Sequence, residues 1–161
     1  MRDDGVVWPR RLAPVALILA LACSTHSSTF SVVSGPCAST VTFANKGALH
    51  VELAADDAER ARGLMGVTDL PTNRGMAFLW GRPTDSSFWM QDTLIPLSIA
   101  FVDASGQIVT MQEMTPCTTD PCTTYEASAP YTMAVEANAG WFREHGIEVG
   151  DSAALREAGC A

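Results

Sequence analysis

The sequence predicts a mainly β domain, a β-rich α+β fold in which a compact antiparallel sandwich or barrel carries one or two short helices. Three observations predict it. Short stretches of alternating apolar and polar residues recur along the chain. Clusters of Gly, Pro, Asn and Asp separate them at even spacing. Helical periodicity after residue 36 is confined to two short segments. Such a series of strands is the pattern of sandwiches and barrels.

The elements follow in order. Val41-Thr42-Phe43 and Leu49 to Leu53 alternate around Asn45-Lys46-Gly47, a hairpin-like turn. Asp56-Asp57-Ala58-Glu59 resembles a capping box with Asp in place of Ser, opening a helix from Asp57 to about Arg62 that Gly63 ends. Met76 to Trp80 and Ser87 to Gln91 read as apolar strands. Leu97 to Val102 follows Pro96, and Asp103-Ala104-Ser105-Gly106 turns the chain with Gly where a positive φ is needed. Over Gln107 to Met114, Ile108, Thr110, Gln112 and Met114 are expected on one face and Val109, Met111 and Glu113 on the other. Tyr131 to Ala137 is a further strand. Gly140 to His145 makes one or two helical turns stopped by Gly146, and Ser152 to Glu157 is a last strand or short helix.

The N-terminus is organised differently. Arg2, Arg10 and Arg11 precede the eleven-residue apolar run Leu12 to Ala22, long enough for a signal peptide and too short to span a bilayer. The run ends in Ala20-Leu21-Ala22-Cys23. Ala-x-Ala is a signal-peptidase pattern, and small residues directly before a cysteine resemble a lipobox. The Ser/Thr-rich tether after Cys23 favours lipidation of Cys23 over plain secretion. The expected organisation is a signal peptide at 1–22, a tether at 23–36 and one globular domain at 37–161. The chain is expected in the cell envelope, on the extracytoplasmic or periplasmic side, held to the membrane by the lipid on Cys23.

Cysteine parity fits an oxidising compartment. Setting Cys23 aside leaves Cys37, Cys117, Cys122 and Cys160. Cys117 and Cys122 in Pro-Cys-Thr-Thr-Asp-Pro-Cys are placed to close a small loop, and Cys37 with Cys160 would tie the start of the domain to its end. Four cysteines allow three pairings, and spacing alone does not choose. Without a nearby histidine the C-x4-C spacing is a poor zinc signal, and no metal site is expected.

Of ten basic and eighteen acidic residues, three and two lie in residues 1–22, so the remaining chain holds seven against sixteen, a net charge of −9. Lys46 is its single lysine. An acidic chain with no basic stripe excludes nucleic acid as a natural partner and offers no attraction to anionic lipid.

Four ordered elements resemble one family. Arg60-Ala61-Arg62-Gly63-Leu64-Met65 is similar to its R-x-x-G-L-M element, and Gly75-Met76-Ala77-Phe78 to its G-M-x-F strand. Phe88-Trp89-Met90-Gln91-Asp92-Thr93, with Ile95-Pro96-Leu97 and Phe101-Val102-Asp103, resembles its F-W-M-x-x-T-x-I-P-L-x-x-x-F-x-D hallmark. Val135 to Gly140 resembles x-E-x-N-A-G. The family is domain of unknown function 192. The resemblance covers about residues 41–155 and implies a single mainly β domain, often exported, with no assigned activity. Ser98 stands where many members carry Asp.

The candidate site comes from the hallmark stretch. In a strand Phe88 and Met90 face one way, into a core, and Trp89 and Gln91 the other. Asp92 and Thr93 are either turn-formers or polar groups of a pocket. In the pocket reading, Trp89 or Trp80 forms a stacking floor, Asp92, Thr93, Glu136 and Asn138 supply hydrogen bonds, and Arg62 or Arg74 takes an anion. The plainer reading of Glu136 and Asn138 is a cap before the 140–145 helix. The chain therefore reads as a non-enzymatic binding module, with no cofactor, for a small polar ligand, an envelope glycan or an envelope protein. Two alternatives belong to other classes. Asp92 and Glu136 are a candidate carboxylate pair for a hydrolase. Met111-x-x-Met114, in a chain with seven methionines, is a candidate for periplasmic copper handling, although strand geometry puts these two on opposite faces. No nucleophile or phosphate-loop motif is present, and His26, His50 and His145 occupy tether, strand-entry and helix-end positions.

Overall fold

In the computed structural model, which describes residues 38–158, β1 (Ser39–Phe43) and β2 (Gly47–Ala54) form the first hairpin. Its turn is Ala44 to Lys46, with Gly47 already in register opposite Phe43. The capping box closes as the sequence predicts: the Asp56 carboxylate accepts from the Glu59 N–H at 2.8 Å, and the Glu59 carboxylate accepts from the Asp56 N–H at 3.2 Å. It starts α1 (Asp57–Arg62), which Gly63 ends.

This helix is a crossover. It carries the chain from β2 to β3 (Arg74–Thr84), which therefore pairs with β2 in parallel, the single parallel pair among the described residues. β5 (Leu97–Val102) and β6 (Ile108–Met114) form the second hairpin, turned at Gly106, where φ is +83°. The Asp103 carboxylate fixes this turn by accepting from the N–H groups of Ser105 and Gln107. β8 (Tyr131–Asn138) lies between β5 and β3, and β9 (Ala153–Arg156) pairs with β1. The seven-stranded order is β6-β5-β8-β3-β2-β1-β9.

The sheet curls into a half-barrel. Its edges approach where Gln107 bridges Ser152 and the Ile108 N–H donates to the Asp151 carbonyl at 2.9 Å. A core built from all seven strands fills the curl, including Phe43, Leu49, Ala100, Val102, Ile108 and Ala153. α2 (Trp141–Glu144) closes it with two buried rings, and Phe43 meets Trp141 and Phe142 edge-on at 5.7 and 5.4 Å. A second core covers the other face of β3, β5 and β8, with Met76, Phe78, Ile99, Phe101 and Tyr131 packed against Leu64, Val67, Leu70 and Met90 from the connections. β5 is buried along its whole length because it has a core on either side.

Two expectations need correction. The strand over Ser87 to Gln91 is only β4 (Phe88–Trp89). It pairs not with the main sheet but with β7 (Thr124–Tyr125), a two-residue strand that the sequence reading did not anticipate. Ile108 does not share a face with Met114. The register shifts between Phe101 and Val102, an irregularity that opposes Val102 to Ile108 and Phe101 to Thr110. Ile108 and Met111 consequently pack into the first core, while Val109 and Met114 pack into the second. Ser152 to Glu157 resolves as strand.

Cys117 and Cys122 are disulfide-bonded, with Cα atoms 5.5 Å apart. The segments expected as signal peptide and tether, with Cys23, Cys37 and Cys160, lie outside the described residues.

Candidate functional site

The second core is not closed everywhere. Between α1, the end of β3 and the segment Ser86 to Thr93 lies a cavity of about 280 Å³. Phe78, Trp80, Phe88 and Trp89 form its aromatic side, and α1 contributes Asp57, Arg60 and Arg62. Ser86, Ser87, Thr93 and Glu136 are its other polar groups.

Strand register puts Glu136 there. It lies opposite Met76 on one side and Ile99 on the other, so its side chain points into the second core. It is 4% exposed, and no hydrogen bond to its carboxyl exists among the described residues. Burial alone pushes its pKa up to about 8, because the charged form would lose hydration with nothing in return. At neutral pH the cavity therefore holds a largely uncharged carboxylic acid.

α1 brings two arginines with different roles. Arg60 is fully engaged. It donates to the carbonyls of Ala55 and Leu79, pairs with Asp57 and lies over the Trp80 ring at 5.4 Å. This holds the helix onto β3 although the helix buries none of its own residues. Arg62 is exposed and makes no hydrogen bond or ion pair among the described residues. The electrostatic partner it has is Glu52, whose pKa burial raises and whose ionised form Arg62 and Arg74 favour. Arg62 and Gly63 also border a second cavity, of about 310 Å³, that reaches Glu52 and Met76.

The hallmark stretch has both of the roles the sequence allowed. Phe88 packs edge-on against Phe78 at 4.9 Å and Phe101 at 5.6 Å, and Met90 is buried. Trp89, on the opposite side of the strand, is 52% exposed and lines the cavity. Thr93 also lines it, with its hydroxyl donating to the Gln91 carbonyl at 3.4 Å.

Of the predicted site residues, Trp89, Thr93, Glu136 and Arg62 thus meet in one cavity, with Trp80 beside them. Asp92 and Asn138 do not line it. Asp92 is exposed, has φ of +55° and accepts the Gly66 N–H at 2.9 Å through its carbonyl, the geometry of a turn residue. The Asn138 amide donates to the Leu70 carbonyl at 2.9 Å, holding a loop to the end of β8. Neither Glu136 nor Asn138 caps α2. The Gly140 N–H is accepted instead by the Ser98 hydroxyl at 2.7 Å and the Glu113 carboxylate at 3.1 Å. Met111 and Met114 enter different cores, so they share no site. Sequence reasoning missed Arg60, Met65, Ser86 and Ser87. For Arg60 and Met65 the R-x-x-G-L-M stretch was the available signal, a family element in which the sequence reading assigned only Arg62 to the site.

A family profile described as "Uncharacterized ACR", domain of unknown function 192, matches residues 40–155. The chain belongs to the DUF192 family. Two solved structures resemble this DUF192 domain. One is a protein of unknown function from Novosphingobium aromaticivorans, 34% identical, with a TM-score of 0.66 over 71% of this chain and 83% of that one. The other, from Sinorhizobium meliloti, is described as a proposed transcription regulator. It is 28% identical, with a TM-score of 0.66 over 73% of this chain and 94% of that one. No curated protein matches the chain. The hallmark elements of DUF192 gather around the cavity: R-x-x-G-L-M supplies α1 and its exit, G-M-x-F supplies Phe78, F-W-M-x-x-T supplies Phe88, Trp89 and Thr93, and the x-E-x-N element supplies Glu136.

Proposed function

We propose that this DUF192 domain is a non-enzymatic binding module of the cell envelope, exported and lipid-anchored through Cys23, that takes a small polar ligand in the cavity under α1. The ligand is free or part of an envelope glycan or protein. One observation carries the reading. The cavity contains a buried carboxyl group without a hydrogen-bond partner among the described residues, and the Arg62 guanidinium, which makes no hydrogen bond among them, and an exposed tryptophan line the same space. Unpaired buried polar groups cost stability, so their presence in an open cavity favours a partner from outside the chain. The volume lies just below the roughly 300–1,000 Å³ of small-molecule sites, which suits a single ring.

The alternatives gain no comparable support. A hydrolase pair of Asp92 and Glu136 needs both carboxylates in one site, and Asp92 is outside the cavity. Copper handling needs converging thioethers, and Met111 and Met114 diverge. The net charge argues against a nucleic-acid role.

A melting series on the full chain, run against sugars, carboxylates, amines and short peptides, tests the binding reading. A ligand at a hundredfold over its dissociation constant adds about 2.7 kcal/mol, which raises Tm by roughly ten degrees for a domain of this size. A flat panel would leave the cavity as a packing defect and remove the proposal. Anchoring is tested separately: Cys23→Ser should move the chain from the membrane fraction to the soluble one, and an unchanged distribution would rule out the lipid.

A further inference from the structure

We propose that the cavity under α1 selects a compact anion that also carries uncharged hydrogen-bond acceptors, a uronic acid or similar hydroxy-carboxylate, with its carboxylate at Arg62 and an acceptor oxygen at the Glu136 carboxyl. This rests on the binding-module reading and names the ligand class.

The argument comes from what each lining group has left to give. Arg60 is used up by Asp57, two backbone carbonyls and the Trp80 face. The other α1 guanidinium, on Arg62, makes no hydrogen bond or ion pair among the described residues. A guanidinium is a fork of N–H donors shaped for a carboxylate. Trp89 offers an exposed ring face against which a sugar or other flat ring packs. Glu136 lines the same space with a carboxyl that no hydrogen bond satisfies among the described residues.

The charge around Glu136 decides what that carboxyl does. α1 places Asp57, Arg60 and Arg62 at the cavity, and Asp57 and Arg60 pair with each other. β2 contributes Glu52 beyond Met76, and β3 contributes Arg74 at its start. β5 contributes only Ile99 at this row. On its own strand the nearest titratable group is Tyr131, whose hydroxyl donates to the Ser86 carbonyl at 2.6 Å. Among the described residues no cation pairs with Glu136, so it stays protonated near neutral pH and its O–H donates. A donor at one place and a guanidinium at another both call for oxygen acceptors. A cationic ligand would meet Arg62 and would have to take the Glu136 proton away first.

Calorimetric titration of the full chain with three pyranoses of one shape and different charge tests this: glucuronate, glucose and glucosamine. Glucuronate should bind at least about tenfold more tightly than glucose, and glucosamine least. Affinity for glucuronate should be level below pH 7 and fall about tenfold per unit well above pH 8, as Glu136 ionises. E136Q keeps a donor that cannot ionise, so its affinity should lose this pH dependence, whereas E136L should lose affinity at every pH. R62Q should erase the preference for glucuronate over glucose. Glucosamine binding best, with affinity rising as pH rises, would overturn the inference and make this a cation site while leaving the binding module intact. Equal affinity for glucose and glucuronate would also overturn it. Failure of all three sugars overturns the ligand class, and the broader melting panel then decides the binding-module reading independently.

Discussion

Glu52 on β2 and Glu136 on β8 lie on the same face of the sheet, each in register with Met76 of β3 between them. Burial raises the pKa of both, and they differ in compensation. Arg62 and Arg74 act on Glu52, while among the described residues no charge is set against Glu136. An acidic row on the apolar face of a sheet costs stability and has consequences that can be measured.

The first is pH dependence. Glu136 titrates near 4.5 when unfolded and near 8 when folded, so between those values the folded state binds the extra proton. Its contribution is fully present below about pH 4.5, declines as pH rises towards 8 and is gone above it. From pH 5 to pH 8 this group should remove on the order of 4 kcal/mol of stability. Denaturant unfolding of the parent and E136Q across that range measures it, and parallel pH profiles for the two proteins would refute it.

Gly75 is a close-approach glycine. A Cβ there would come within 2.1 Å of the Glu136 carbonyl oxygen and 2.5 Å of Leu49 Cδ2, so β3 and β8 would have to separate. Gly75→Ala should cost about 3 kcal/mol, read as a fall in Tm. An unchanged Tm would contradict the strand spacing described above.

The capping box holds the helix that carries Arg60 and Arg62. Asp56→Ala removes the acceptor for the Glu59 N–H and should cost about 1 kcal/mol. The midpoint of urea unfolding, with unchanged slope, is the measurement. A midpoint equal to the parent's would mean that Arg60 alone seats α1.

The Cys117–Cys122 bridge closes a short loop, with a sequence separation of five. Chain entropy for so small a loop is worth roughly 2 kcal/mol. Melting C117S/C122S against the parent should show that loss and no change in fold by circular dichroism. A loss twice as large would show that the bridge supports more than its own loop.

Trp89 separates stability from function. Being half exposed, it should tolerate Trp89→Ala within about 0.5 kcal/mol, while every ligand found for the cavity should bind far more weakly. A variant that unfolds would show Trp89 to be structural, and one that binds normally would remove it from the site.

Much of the fold was legible because its signals are local. The capping box depends on Asp56 and Glu59, three residues apart. The Asp103–Gly106 turn depends on one carboxylate and one positive φ. The identity of α1 and the hairpins followed from such neighbours. The strand over residues 87–91 was overestimated because an apolar run looks alike in a long strand and in a covering segment.

Sequence alone accounts for the mainly β class, α1, the two hairpins, the family and the alternation that separates Trp89 from Phe88 and Met90. That Glu136 faces the cavity while Asn138, two residues on in the same strand, is drawn off to the Leu70 carbonyl follows from long-range packing. β8 is buried on both faces, so its own pattern does not say which side a residue takes or what it meets there. That is set by register with β3 and β5, by the crossover that lays α1 over the second core, and by the turn at Asp92 that leaves its carboxylate outside. Register and crossover join residues far apart in the chain, and one residue's slip in pairing would turn Glu136 to the other face.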